Sequence, residues 1–221
     1  MTSDAEITTV HLLRHGEVQN PTGVLYGRLP GYHLSELGRK MADRIVEYLR
    51  STEKNIAAVV SSPLERALET AQPIATAFGL QVRTDPRVIE AENVFEGLTF
   101  GVGDGSLRRP ASWWYLRNPF RPSWGEPYRN QVGRMLAAMA DARDQARGAE
   151  VIVVSHQLPI WVTRCHVEGR HLWHDPRKRQ CTLASLTSFT YLGDEIEAVG
   201  YTEPARDLLP AKYAKTFSSG A

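Results

Sequence analysis

Three short stretches carry side chains suited to holding and moving a charged group. Arg14-His15 ends one apolar run, Ser61-Ser62 ends a second with Arg66 one helical turn further on, and Ser155-His156 ends a third. Guanidinium forks bind phosphate oxygens bidentately, and a neutral imidazole nitrogen is a nucleophile able to carry a phosphoryl group covalently. Two arginines and two histidines gathered on one rim therefore suit phosphoryl chemistry, with helix N-termini adding backbone N–H donors. A lone histidine at a strand end is more often a satisfied core or surface residue, and that plainer reading is kept for His11, His33 and His166. It fits His15 less well, because an arginine, a glycine that permits close backbone approach and a second strand-end histidine accompany it.

The elements that must position these residues alternate between two periodicities. Residues 7–13 are β-branched and apolar and read as a buried strand that delivers Arg14-His15-Gly16-Glu17 at its carboxyl end. A loop over 20–32 carries Pro21, Gly23, Gly27, Pro30 and Gly31. Ser35 is placed to cap a helix whose apolar stripe is Leu37, Met41, Ile45, Tyr48 and Leu49. A strand at 56–60 precedes Pro63, which suits the first turn of a helix reaching about residue 78 with a kink at Pro73. Further strands are expected at 81–89, 151–154, 183–191 and 196–201, with helices at 132–147 and 159–167. The pattern predicts an α/β fold, a three-layer sandwich with a mostly parallel central sheet flanked by helices. Sites in such sheets gather at the carboxyl ends of the strands.

Residues 97–128 break the pattern, being rich in Gly, Pro, Arg and Trp without a clean period. A long stretch of that kind inside a domain reads as a functional insertion. It is expected to carry some helix near 112–116 and to lie over the sheet edge as a lid or pocket wall, or to form a dimer contact. Trp113, Trp114, Tyr115 and Trp124 either pack its core or wall a substrate pocket. The tail after Pro204 is expected to pack on the surface or fray.

The bulk numbers bound the rest. The chain has 221 residues, 42% hydrophobic and 23% charged, with 26 basic against 25 acidic side chains. That length allows a single domain, 1–221, with a core that needs no staples. The near-neutral charge excludes a whole-protein field for nucleic acid or anionic membrane, and Arg177-Lys178-Arg179 reads as a solvated turn. Two cysteines, Cys165 and Cys181, exclude a disulfide scaffold. No secretory leader pattern and no spanning apolar run are visible, so a cytoplasmic location is expected. Cys165, His166, His171, His174 and Cys181 match no zinc spacing, and no metal site is expected.

Four ordered segments then carry a resemblance. Leu12-Leu13-Arg14-His15-Gly16-Glu17 resembles the signature of the histidine phosphatase superfamily, the phosphoglycerate mutase-like enzymes. Leu34-Ser35-Glu36-Leu37-Gly38 is similar to its Leu-Thr-x-x-Gly helix start, and the segment from Ser62 through Arg66-Ala67 to Thr70-Ala71 to its Ser-x-x-x-Arg-Ala-x-x-Thr-Ala segment. The strand ending at His156 is similar to the one that bears its second histidine. The resemblance implies that His15 is the nucleophile that forms a phosphohistidine, with Arg14, Arg66 and His156 around the phosphoryl group. It implies Glu90 as proton donor and then base, with Glu92 as runner-up, and Asn20 and Gln157 beside the phosphate. Glu126, after Gly125, reads as a helix-start or structural residue. A homodimer and metal-free chemistry are implied in the same way.

This sequence departs from the family pattern at Val18, where Ser or Thr is usual, at the offset of Asn20, and at Gln157, where Gly is usual. Phosphatase and mutase chemistry share the phosphohistidine and differ in the acceptor. Arg108, Arg109, Arg117 and Arg121 are cations a mutase can use, whereas Phe95-Glu96-Gly97 resembles the phosphatase branch. The expected function is hydrolysis of the phosphate monoester of a small metabolite without a cofactor. The alternatives are a mutase dependent on 2,3-bisphosphoglycerate and a pseudoenzyme that only binds the phosphate ligand.

Overall fold

The alternation of buried residues along two strands explains the layers. The computed structural model describes residues 6–99 and 125–209. Strand β1 (Ile7–Arg14) sends Val10 and Leu12 to one face of the sheet and Leu13 to the other. Strand β4 (Glu150–Ser155) does the same with Val151 and Val153 against Ile152 and Val154. Both strands are buried on both sides, so they read as continuous apolar runs rather than alternating ones. One face is covered by α1 (Glu36–Ser51) and α2 (Glu65–Ala77), through Met41, Ile45, Leu49, Ala67, Ala71 and Ile74. The other is covered by α3 (Tyr128–Gln145) and α4 (Gln157–Val167), with Met135, Met139 and Ile160 in the same cluster as Val151 and Val153.

The described strands form one six-stranded sheet in the order β3-β2-β4-β1-β5-β6, where β2 is Ile56–Ser61, β3 Val82–Thr84, β5 Leu186–Leu192 and β6 Glu195–Thr202. The first four are parallel; β5 pairs antiparallel with β1 and β6 antiparallel with β5. Because β4 lies between β1 and β2, the carboxyl ends of these three strands are neighbours: Arg14 pairs with Ser155 and Ser61 with Val154. Residues far apart in the chain therefore leave the sheet side by side.

Several boundaries differ from the expectation. Pro63 lies outside α2, whose first helical residue is Glu65 with Leu64 as N-cap. The expected strand at 81–89 is only three residues long, because Asp85 accepts from the Arg87 backbone N–H and starts a 3-10 turn at Pro86–Val88. The strand expected from 183 begins at Leu186. Ala184 before it adopts φ +53°, which an extended strand excludes. Tyr128, placed in the insertion by composition, opens α3. Trp113, Trp114, Tyr115, Trp124, the four insertion arginines and the helix near 112–116 lie outside the described residues. At the carboxyl end, Ala205 is buried and Leu208 and Leu209 pack against the α1/α2 core.

Candidate active site

The loop after β1 is held by backbone contact that side chains would forbid. A Cβ at Gly38 would stand 2.1 Å from the Glu17 carbonyl oxygen, and one at Gly16 would stand 2.6 Å from the Gly38 carbonyl oxygen. The start of α1 is thus pressed onto Gly16-Glu17, which is the physical content of the Leu-Ser-x-x-Gly segment. Ser35 accepts from the Gly38 N–H as N-cap, and its hydroxyl donates to Glu17. Thr70, one turn beyond Arg66 on α2, accepts from the Gly16 N–H and donates to the Arg66 carbonyl. The same helix face therefore fixes both the loop after β1 and the Arg66 backbone.

His15 is buried, and its Nδ1 lies 2.8 Å from the Gly16 carbonyl oxygen. A carbonyl only accepts, so this bond puts the proton on Nδ1 and leaves the lone pair on Nε2. Burial, then the charges of Arg66 and Arg14, hold the His15 pKa well below the ordinary imidazole value. The ring is neutral and nucleophilic at neutral pH. His156 stacks at a tilt 5.1 Å from it, and burial and the Arg66 charge likewise keep it neutral. Its Nε2 shares a hydrogen bond of 2.8 Å with the Ser62 hydroxyl, so Ser62 at the end of β2 orients the ring at the end of β4.

Arg66 carries donors without a partner among the described residues. Arg66 has no exposed surface, donates from Nη2 to the Gly27 carbonyl at 2.6 Å and lies 4.7 Å over the Tyr26 ring. Its Nε and Nη1 are buried without a partner among the described residues, as is His156 Nδ1. Each such buried group costs about 1–3 kcal/mol unless something accepts from it. Arg14 donates from Nη1 to the Cys181 carbonyl at 2.7 Å.

Glu90 reaches the cleft from the loop after the 3-10 turn. Burial pushes its carboxyl above the ordinary value, against the lowering effect of the Ala91 N–H and of Arg66, Arg179 and Arg14. Glu92, the other candidate acid, is exposed and paired with Arg28 at 2.7 Å. Both carboxylates line the cleft with His15, but Glu90 is the one that burial raises, while Glu92 is tied to Arg28. Asn20 is not brought in. Its amide nitrogen donates to the Val24 carbonyl and its amide oxygen accepts from the Val24 N–H, closing its own loop.

Long-range contacts assemble the rest of the rim. Arg28 donates to the Glu90 carbonyl, Glu92 and Glu126, while Arg134 donates to the Arg87 and Ile89 carbonyls and to both Glu126 oxygens. Glu126 is thus structural, as expected. Arg28 and Arg134 escaped the sequence reading because nothing local marks which carbonyls they reach. Arg179 is a correction. Arg177 and Lys178 are exposed, but Arg179 turns inward to line the cleft with Arg14, His15, Glu90 and Gln157. The cleft holds about 650 Å³, counted with its open mouth.

His11 shows what an ordinary buried histidine looks like in this fold. Glu150 Oε2 lies 2.5 Å from its Nε2 and Ser188 Oγ 2.7 Å from its Nδ1, with Lys54 on the same carboxylate. Both nitrogens are occupied.

Known proteins are similar to this chain in sequence and fold. An uncharacterized Mycobacterium tuberculosis protein is 54% identical over 200 residues, 90% of this chain and 98% of its own. The metal-independent phosphoserine phosphatase of Arabidopsis thaliana is 32% identical over 160 residues, 69% of this chain and 66% of its own. Among solved structures, the mycobacterial glucosyl-3-phosphoglycerate phosphatase superposes with a TM-score of 0.65 at 25% identity, covering 89% of this chain and 97% of its own. The family model that matches spans residues 10–204 and takes in the later part of β1, with Arg14 and His15, and Arg66, Glu90 and His156. The chain belongs to the histidine phosphatase superfamily, branch 1.

Proposed function

We propose that the protein hydrolyses a small phosphate monoester through a phosphohistidine on His15, without a metal ion. The observation that carries this reading is His15 itself: a buried neutral imidazole with its proton tied to the Gly16 carbonyl, beside Arg66, whose Nε and Nη1 have no partner among the described residues. The His15 Nε2 lone pair attacks phosphorus and the bond to the ester oxygen breaks. Glu90 gives its proton to that oxygen, and the alcohol leaves. The Glu90 carboxylate then takes a proton from water, whose oxygen attacks the phosphohistidine. Inorganic phosphate is released, the lone pair returns to His15, and Glu90 is protonated again. Arg14, Arg66 and His156 stabilise the charge on the equatorial oxygens in both steps.

The phosphatase names of the relatives support hydrolysis over mutase transfer. Turnover of p-nitrophenyl phosphate with metal chelated, beside His15→Ala, tests the reading. Phosphate release that falls about 10⁴-fold in the variant is the expected result. Interconversion of phosphoglycerates that depends on 2,3-bisphosphoglycerate, with no net phosphate release, would make the protein a mutase. Vanadate binding without any turnover would make it a pseudoenzyme.

A further inference from the structure

One peptide group links the buried Arg66 to a carboxylate that the hydrolytic scheme does not use. Arg66 Nη2 donates to the Gly27 carbonyl at 2.6 Å, and the other polar end of the same peptide, the Arg28 N–H, donates to Glu96 Oε1 at 3.0 Å. The peptide is trans, so its C=O and N–H point in opposite directions. Glu96 and Arg66 therefore stand at the two ends of one planar unit. A carboxylate on the N–H also polarises the peptide and strengthens its carbonyl as an acceptor.

Covalent geometry alone does not fix that peptide. The Leu29 N–H donates to the Tyr26 carbonyl at 2.6 Å and closes a four-residue turn whose central peptide is Gly27–Arg28. Turn types differ by rotation of this central peptide, which exchanges the directions of its C=O and N–H. Gly27, at φ +39° and without a Cβ, permits that rotation at little steric cost. Glu96 supplies the missing restraint. Its carboxylate fills the space beside Gly27, where a Cβ would stand 2.1 Å from Glu96 Oε1. The segment around Glu96 is anchored to the same loop, because the Gly97 N–H donates to the Leu25 carbonyl and the Leu25 N–H to the Leu98 carbonyl, both at 2.9 Å.

The consequence for the cation is specific. Arg66 Nε and Nη1 have no partner among the described residues, so the Gly27 carbonyl and the Tyr26 ring, 4.7 Å away, orient the guanidinium. Burial disfavours the Arg66 charge, and Glu96 is one of the groups that offset it, after Tyr26, Glu90 and Glu65. Tyr26 and Gly27 line the cleft, whereas Glu96 is not among its described lining residues, so any effect it has on the phosphoryl group passes through them. We propose that Glu96 is a positioning residue: by holding the Gly27–Arg28 peptide, it aims the Arg66 guanidinium at the phosphoryl group. The proposal rests on the phosphatase reading for the place of that group.

The test reads oxyanion affinity beside turnover. Orthovanadate binding by calorimetry and kcat/KM on p-nitrophenyl phosphate are measured for the full-length protein and its variants in metal-free buffer. Glu96→Ala is expected to lose about 30-fold in kcat/KM and about tenfold in vanadate affinity, since Arg66 faces the group common to every ester. Glu96→Gln, whose amide oxygen still accepts from the Arg28 N–H, is expected to stay within about threefold of the parent. Glu96→Met fills the space beside Gly27 without the acceptor; it should behave like the alanine variant and replaces it if that one does not fold. Adding Glu96→Ala to Arg66→Lys should cost less than about twofold beyond Arg66→Lys alone, because both changes break the same contact. Losses that multiply, a glutamine variant as poor as the alanine one, or a lower melting temperature with vanadate affinity unchanged overturns the proposal, as does a parent that binds no vanadate. If the parent binds vanadate but turns over no ester, and the Glu96 pattern stands in the affinities, the phosphatase reading fails and the positioning role holds. If the parent is active and Glu96→Ala matches it in both measurements, the reverse is true.

Discussion

At the floor of the cleft, Arg14, His15, Arg66 and His156 leave the ends of adjacent strands or the first turn of a helix. At the rim, Glu90, Arg28, Glu126 and Arg179 come from loops and turns held by side-chain bonds across long sequence separations. The floor takes its precision from the sheet register, because moving β4 against β1 would disrupt the whole ladder. The rim takes its precision from a few guanidinium contacts that can be removed singly. Disturbing the floor should therefore abolish chemistry on every substrate. Disturbing the rim should alter proton delivery and substrate choice.

After removal of His15 itself, the largest expected effect comes from Arg66→Lys. A lysine ammonium cannot reproduce a fork that bonds Gly27 while presenting two further N–H groups. Loss of about 10³-fold in kcat/KM is expected on aryl and alkyl phosphates alike. A loss confined to one substrate class would move Arg66 from the floor to the rim in function.

Glu90→Gln is expected to cost about 10²-fold in kcat/KM on an alkyl phosphate and about tenfold less than that on p-nitrophenyl phosphate, whose leaving oxygen needs little protonation. The ratio kcat/KM reads only the steps through loss of the alcohol, so slower hydrolysis of the phosphoenzyme does not obscure it. The pH profile gives a second readout. His15 must be neutral, and its depressed pKa places the acid limb below the ordinary imidazole value. Glu90 must be protonated, and its raised pKa carries the basic limb above the ordinary carboxylate value. The variant should lose the basic limb and keep the acid one. Equal losses on both substrates, with the basic limb intact, would shift the acid to Glu92.

Arg134 tests whether the clamp positions Glu90 rather than merely stabilising the loop. Arg134→Met keeps the stem but takes the Arg134 donors from the Arg87 and Ile89 carbonyls and leaves Glu126 with Arg28 alone. A fall of about tenfold in kcat with little change in KM is expected, along with about 2 kcal/mol of stability. A positioning role also predicts a displaced basic limb, because Glu90 then sits in a wetter setting. Thermal destabilisation with an unmoved pH profile would reduce Arg134 to a structural strut.

The same contrast explains how much could be read from the sequence. β1 and β4 were legible because burial on both faces demands unbroken apolar runs, and the floor residues follow at their ends. Gly16 and Gly38 were legible as motif positions, and the structure supplies the reason in a backbone contact no Cβ would allow. Asn20 was placed beside the phosphate by the resemblance, whereas its amide closes its own loop onto Val24. Arg179 was missed because Arg177-Lys178-Arg179 looks uniform in sequence, whereas the 3-10 turn at Pro176–Lys178 sends consecutive side chains in different directions. Local periodicity encodes strand ends; it does not encode which distant carbonyl a guanidinium will meet.

The smallest expected effect is a slope rather than a loss of rate, and it sets the floor against the rim in one titration. His15 and His156 have depressed folded-state pKa values, so between those values and the unfolded value of about 6.5 the unfolded chain binds more protons. Their contribution to stability is complete above that pH and is lost as pH falls below it. Glu90, with a raised pKa, works in the opposite sense: the folded chain binds the extra proton, so stability is gained as pH falls through its window. Melting temperature followed from pH 8 to pH 5 should therefore decline more steeply below about 6.5 in His15→Ala, which keeps one of the two cleft imidazoles, than in His15→Ala/His156→Gln, which keeps neither. The difference is bounded by one proton, about 1.4 kcal/mol per pH unit. Parallel curves would mean that His156 is protonated as readily in the folded protein as in the unfolded chain, and that its neutrality is not enforced by the Arg66 charge and the burial around it.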